Sequence, residues 1–164
     1  MIRNWAVWAI AALTGGALLL AGCGSETAPA AETATPATAC FPPSPIADAE
    51  LAVFADGLRL PVGVSVVTAR ISTGSDYPGQ TGVAFDLCVP GSADADALRP
   101  IASDIARALG PTPLGQRTFV LYVSDTGPEF NTEAELVDPN YLVNLWNGEP
   151  SQAAENERWK VLGG

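Results

Sequence analysis

The first 22 residues constrain the fold most, because their pattern predicts that they are not part of the folded domain. The chain begins with an α-amino group and Arg3, and residues 4–25 carry no charge. Residues 5–10 and 18–20 within that run are strongly apolar. A short basic start followed by an apolar stretch is typical of a secretory signal peptide. The alternative is an uncleaved membrane anchor, since about 18 apolar residues can span a bilayer. Both interpretations place the remaining chain outside the cytoplasmic membrane.

The run ends in Leu20-Ala21-Gly22-Cys23, which resembles the lipobox of bacterial lipoproteins. In that family the signal peptide is cleaved before the cysteine, whose sulfur receives a diacylglyceryl group. The resemblance implies a signal peptide of residues 1–22, a lipid on Cys23, and a location at the extracytoplasmic face of the cell membrane. Each buried CH₂ contributes roughly 0.8 kcal/mol, so the two or three acyl chains that the resemblance implies would make the anchoring effectively permanent.

The segment after Cys23 is predicted to be a tether. Residues 24–45 are dominated by Ala, Thr, Pro and Glu, and no large apolar residue precedes Phe41. Such a segment cannot bury enough surface to offset the entropy of ordering its backbone, and its prolines favour an extended chain. The sequence therefore predicts three parts: a signal peptide over 1–22, a lipidated cysteine and tether over 23–45, and a globular domain over 46–164.

Charge and composition exclude several kinds of function. The chain has 8 basic and 18 acidic residues, a net charge of −10 and no histidine. Loss of Arg3 with the signal peptide would bring the net charge to −11. An acidic chain without basic clusters does not favour nucleic acid as a partner, and its own charge would repel anionic lipid headgroups. The missing histidine excludes a Ser-His-Asp or Cys-His catalytic pair and a His-ligated zinc.

Hydrophobic periodicity predicts a single small α+β domain. The expected elements are helices over 46–58 and 92–109 and strands over 62–72, 82–89 and 116–124. The first two strands should form an antiparallel hairpin, with a bulge or burial on both faces at Val66-Val67. The strand-helix-strand run over 82–124 implies a crossover, right-handed if its strands are parallel neighbours.

Side-chain patterns assign faces to two of these elements. The third strand should turn Phe119, Leu121 and Val123 inward. The second helix has an apolar stripe from Leu98 to Leu109, with Arg99, Ser103 and Arg107 on the opposite side. Since Pro100 lacks an N–H, the regular helix either begins near Asp96 or is kinked in its first turns.

The C-terminal segment over 125–164 is expected to be irregular, because prolines divide it into short pieces. It can hold a strand near 134–137 and a short helix over 151–160. Trp146 and Trp159 are predicted to be packing anchors that close this segment over the core.

Two cysteines remain once Cys23 is assigned to the lipid. An even pair in an exported protein usually forms a disulfide, so Cys40 and Cys88 are predicted to be bonded. A closed loop of 48 residues would contribute about 4 kcal/mol in the chain-entropy model. The alternative is two unpaired thiols in a reducing compartment.

Acidic residues offer weak candidate sites. Asp125, Glu129, Glu133, Glu135 and Asp138 could suggest calcium, but their spacing does not match an EF-hand loop, so a solvated acidic surface is favoured. Paired carboxylates could also hydrolyse wall glycans, and Asp86 stands mid-strand opposite the apolar face. A strand's solvent face explains Asp86 equally well, and no cofactor or metal is expected.

Two loop segments are candidates for recognition. Tyr77-Pro78-Gly79 could be a recognition tip or an ordinary hairpin turn. Asp138-Pro139-Asn140-Tyr141, followed by Trp146-Asn147-Gly148, resembles the closing segment of small actinobacterial, mycobacterial-type lipoproteins, a resemblance that brings no site residues with it.

The sequence thus favours a membrane-anchored envelope lipoprotein that acts as a non-enzymatic interaction or ligand-binding module, with an envelope protein or a glycan as partner. The alternatives are a carboxylate-based hydrolase of wall glycans and a carrier of an apolar ligand.

Overall fold

The computed structural model describes residues 40–91, 94–127 and 129–163. Its helices are α1 (Ala49–Asp56), α2 (Ala95–Leu109) and α3 (Gln152–Asn156), with a 3₁₀ turn at Gly115–Arg117. Its strands are β1 (Ser65–Ser72), β2 (Thr81–Cys88), β3 (Thr118–Thr126), β4 (Thr132–Asp138) and β5 (Lys160–Gly163). The predicted signal peptide, Cys23 and the tether as far as residue 39 lie outside the described residues. In the part that is described, no helix has the length and apolar character needed to cross a membrane.

The five strands form one mixed sheet in the order β1-β2-β3-β4-β5. β1 and β2 are an antiparallel hairpin, and its pairing register shifts between Val66 and Thr68, where the sequence predicted an irregularity. β2 and β3 are parallel and are connected by α2, while β3, β4 and β5 pair antiparallel. The predicted α+β domain with a hairpin and a strand-helix-strand unit is therefore confirmed.

Helix α2 packs its apolar stripe against one face of the sheet. The Asp94 carboxylate accepts a hydrogen bond from the Ala97 N–H at 2.7 Å and so caps the first turn. The helix begins at Ala95, and Pro100 lies inside it. The buried core joins residues of α1, α2 and four strands, the largest of them fully inaccessible: Phe85, Leu51, Leu87, Leu98, Ile105, Leu109, Leu121 and Leu136.

The C-terminal segment is tied to the core by α2 and by two tryptophans. Trp146 and Trp159 are both buried, with ring centroids 5.1 Å apart, which confirms their predicted packing role. The Trp159 indole N–H donates to Ser103 Oγ at 3.0 Å. Arg99 donates to the main-chain oxygen of Trp159 at 2.7 Å. The polar side of α2 is therefore an attachment surface for α3 and β5.

The N-terminal end of the described chain is attached to β1 and β2. Cys40 and Cys88 form the predicted disulfide, with a Cα–Cα distance of 5.6 Å. The Ser44 N–H donates to the Val67 carbonyl at 2.7 Å, so a proline-rich stretch occupies part of the outer edge of β1. Because proline has no N–H to offer, such a stretch discourages further strand pairing at that edge.

The parallel pair defines two ends of the sheet. One end holds the starts of β2 and β3, the loop over 73–80 and the chain leaving β4. We call it the groove end, because the groove described below lies there. The other end holds Cys88, Asp125 and the described residues of the β3–β4 turn, 127 and 129–131. We call it the tether end. At roughly 3.3 Å per residue, the eight residues of β2 separate these ends by about 25 Å.

Candidate functional site

A groove at the groove end of the sheet combines both loop segments that the sequence singled out. Its volume is about 480 Å³, and we call it the uncharged groove. It is lined by Ser72, Tyr77, Gln80, Phe119, Val120, Tyr122, Pro139, Asn140, Leu142 and Val143. These residues come from the β1–β2 loop and its flanks, from β3, and from the chain that follows β4.

The Tyr77 side is built on an aromatic stack. The rings of Tyr77 and Phe119 lie 4.2 Å apart between centroids, with an angle of 12° between their planes. Two turn hydrogen bonds hold the loop, from the Tyr77 N–H to the Gly74 carbonyl at 3.2 Å and from the Gln80 N–H to the Tyr77 carbonyl at 3.1 Å. Tyr77 remains 48% exposed, so part of its side chain is accessible to a ligand.

The prediction that Phe119 points into the core is wrong. Phe119 is only half-buried and lines the groove, whereas Leu121 and Val123 further along β3 are fully buried. The β2–β3 pairing is irregular between Thr81 and Gly82, immediately beside the start of β3. The alternation that predicts the later residues of the strand therefore does not extend to its beginning.

The opposite wall is held by Asp138, which is 1% exposed. Its carboxylate accepts hydrogen bonds from the Asn140 N–H at 3.0 Å, from the Asn144 amide at 2.8 and 2.9 Å, and from the Trp146 indole at 3.1 Å. These bonds fold the chain after β4 into a compact loop, so that its side chains have defined directions.

Side chains of this loop divide into buried anchors and an exposed apolar edge. The Tyr141 hydroxyl donates to the Ala106 carbonyl of α2 at 2.9 Å, and burial together with the Asp138 charge raises the pKa of Tyr141. Val143 and Leu145 point outward and are 76% and 71% exposed. Leu142 lines both the uncharged groove and a second cleft of about 410 Å³ beside Trp146.

The groove has no charged side chain in its lining, although the chain carries a net charge of −10. Among the described residues, the side chains of Gln80, Asn140 and Tyr122 have no hydrogen-bond partner. Hydrogen-bonding groups and an aromatic face therefore meet in one open depression. This arrangement suits non-covalent recognition of a neutral surface or molecule.

The acidic residues described in the 125–138 segment do not gather into one site. Asp125 and Asp138 are buried, so the interpretation of this segment as a solvated acidic surface is wrong for both. Asp138 is engaged by the loop that follows it, and Glu135 pairs with Ser124 along the sheet. Across the described ranges, no three acidic, cysteine or histidine side chains are grouped as a metal would require.

Asp125 occupies the tether end of β3 on the core side of the sheet. One carboxylate oxygen accepts a hydrogen bond from the Val89 N–H at 3.0 Å, and the other has no partner among the described residues. Burial raises the pKa of Asp125 to about 6, and the charge of Glu133 acts in the same direction.

Asp86 lies in a polar row across the sheet. It accepts hydrogen bonds from Arg70 at 2.7 Å and from Ser124 Oγ at 2.5 Å. These contacts favour a structural role for Asp86 over a catalytic one, because two neighbouring side chains already bond to its carboxylate.

Sequence reasoning missed one buried ion pair. Glu155 is fully buried and accepts hydrogen bonds from Arg107 Nε at 2.8 Å and from the Gly148 N–H at 2.7 Å. Burial alone would raise the pKa of Glu155, but these hydrogen bonds and the Arg107 charge outweigh it and lower the pKa. One sequence signal could have pointed to this ion pair. Ser103 and Arg107 are four residues apart on α2 and so form a continuous polar stripe, against which another segment can pack.

The chain matches no protein-family model, and neither a curated protein nor a solved structure matches it significantly.

Proposed function

We propose that the protein is a lipid-anchored envelope protein that binds a partner through the uncharged groove. The signal peptide and the lipobox cysteine Cys23 support anchoring at the extracytoplasmic face of the membrane. The observation that carries the binding role is the position of the groove: it lies at the end of the sheet opposite to Cys40, through which the tether reaches the domain. A chain anchored at Cys23 can therefore present the groove away from the membrane.

Binding is better supported than hydrolysis. A glycosidase needs two carboxyl groups that face each other across a cleft. The uncharged groove is lined by no carboxylate, and Asp86, Asp138 and Glu155 are each held by several hydrogen bonds elsewhere. The lining instead supplies aromatic, aliphatic and amide groups, which are the groups typical of contact surfaces.

The proposal is tested by photo-crosslinking in intact cells. A photoreactive amino acid is placed at Val143, which is 76% exposed at the groove, and as a control at Val62, which is fully exposed and lies outside it. We expect a crosslinked product from position 143 that position 62 does not give and that Tyr77→Ala abolishes. Identical products from both positions, or hydrolysis of wall glycan by the purified protein, would contradict the proposal.

Anchoring is tested separately with Cys23→Ala. The variant should lose the lipid and leave the membrane fraction, with Cys23→Ser as a second non-acylated form. If both variants still sediment with membranes after an alkaline wash, the anchoring proposal fails while the groove proposal stands.

A further inference from the structure

The lining of the uncharged groove restricts the chemistry of its ligand. Three side chains offer hydrogen-bonding groups that have no partner among the described residues: the amides of Gln80 and Asn140 and the hydroxyl of Tyr122. Amide and hydroxyl groups both donate and accept, so they pair best with a ligand that also does both. A purely apolar ligand would cover these groups and leave them unpaired, which costs free energy.

The charge distribution around the groove disfavours ionic ligands. A chain of net charge −10 repels anions, and the groove lining has no lysine or arginine to offset that repulsion. The lining also contains no carboxylate, so a cationic ligand would find no ion-pair partner there and would depend on the aromatic rings alone. The groove thus offers no ion pair to a ligand of either sign, which favours an uncharged one.

The aromatic stack provides a flat contact surface. Phe119 supports one face of Tyr77, with 4.2 Å between the ring centroids and nearly parallel rings, which fixes the orientation of the half-exposed Tyr77 side chain. A pyranose ring has one face of C–H groups that can lie on such a surface, while its hydroxyl groups project sideways toward hydrogen-bonding partners. Leu142 and Val143 form an apolar wall beside this platform.

From these features we infer that the uncharged groove binds a neutral glycan chain, with one pyranose ring stacked on Tyr77 and its hydroxyl groups bonded to Gln80, Asn140 and Tyr122. The groove is an open depression and not an enclosed cavity, so a chain can enter and leave it along the surface. This inference rests on the proposed binding function and specifies its ligand class.

Nuclear magnetic resonance of the full chain in a sugar-free detergent tests the inference. The side-chain amide signals of Gln80 and Asn140 are followed while neutral gluco-, manno- or galacto-hexaose is added, and hexagalacturonate serves as the anionic counterpart. At least one neutral hexaose should shift both signals in a saturable manner, whereas hexagalacturonate should not.

Two variants make the test specific. Tyr77→Ala should weaken hexaose binding about tenfold or more, as expected for an aromatic anchor. Val53→Ala is the matched control, because Val53 is 74% exposed on α1 outside the groove, and its affinity should be unchanged. Failure of all three neutral hexaoses, equal binding of hexagalacturonate, or equal effects of the two variants would overturn the inference.

The crosslinking experiment separates this inference from the proposed function. A product from position 143 that resists glycosidases and contains a second polypeptide would keep the binding function and overturn the glycan assignment. A specific product that glycosidases shorten would support both. The absence of any groove-specific product in cells would refute the proposed function, regardless of whether the hexaoses bind in the titrations.

Discussion

Asp125 is predicted to make the protein less stable as the pH rises from about 4 to 7. Its side chain is 1% exposed, and one oxygen has no partner among the described residues. Burial raises the pKa of this carboxyl from 3.8 to about 6. The folded protein therefore holds a proton on Asp125 in a pH range where the unfolded chain has lost it.

The magnitude follows from proton linkage. Between pH 4 and 6 the native state binds the Asp125 proton and the unfolded state does not, so the free energy of unfolding falls as pH rises. A difference of about two pKa units corresponds to about 3 kcal/mol. This contribution is fully present below pH 4 and is lost once the pH exceeds about 6.

The measurement compares urea unfolding of wild type and Asp125→Asn at several pH values, with the disulfide intact. The asparagine can still accept the hydrogen bond from Val89 N–H, which is 3.0 Å long in the wild type. Its uncharged amide does not titrate, so any cost of the new N–H₂ group is independent of pH. The stability of wild type relative to the variant should therefore decrease by about 3 kcal/mol from pH 4 to 7.

Asp56→Asn is the control, since Asp56 is exposed on α1. Its difference from wild type should change little over the same range. A difference for Asp125→Asn that stays constant within about 0.5 kcal/mol, or a wild type that gains relative stability as the pH rises, would show that Asp125 does not hold its proton in the folded state.

The remaining predictions concern the disulfide and the buried ion pair. Cys40→Ser with Cys88→Ser should lower the free energy of unfolding by about 4 kcal/mol in guanidinium titrations, because the closed loop spans 48 residues. Glu155→Gln should cost about 3 kcal/mol at pH 7, because Arg107 loses its buried partner. The lowered pKa of Glu155 means that its contribution is present above pH 4.5 and is lost on further acidification, so the cost should shrink in acid, opposite to Asp125.

Features encoded by local patterns could be predicted from the sequence. Alternation located β2, and the apolar stripe from Leu98 to Leu109 located α2. The disulfide followed from the count of cysteines once one was assigned to the lipid. These predictions depend on neighbouring residues or on composition, and they need no knowledge of how distant segments meet.

The groove could not be predicted, because it is formed by residues that are far apart in the sequence. Tyr77, Phe119 and Leu142 are far apart in the chain and meet only because β2, β3 and β4 place their flanking segments at one end of the sheet. The burial of Glu155 likewise depends on Arg107, 48 residues earlier. A carboxylate in a polar sequence gives no local sign that the folded chain encloses it.

The position of Cys40 connects stability with the proposed function. The disulfide, the Ser44–Val67 hydrogen bond and the stacking of Phe41 on Phe130 all hold the incoming chain at or near the tether end. For a chain anchored at Cys23, residues 24–39 would separate the anchor from Cys40 by at most about 55 Å when fully extended. Without the disulfide, the first attachment to the sheet would be the Ser44–Val67 hydrogen bond, and this maximum distance would increase. The bond would thus join the anchor to the tether end of the sheet and not to the groove end, as well as stabilise the fold.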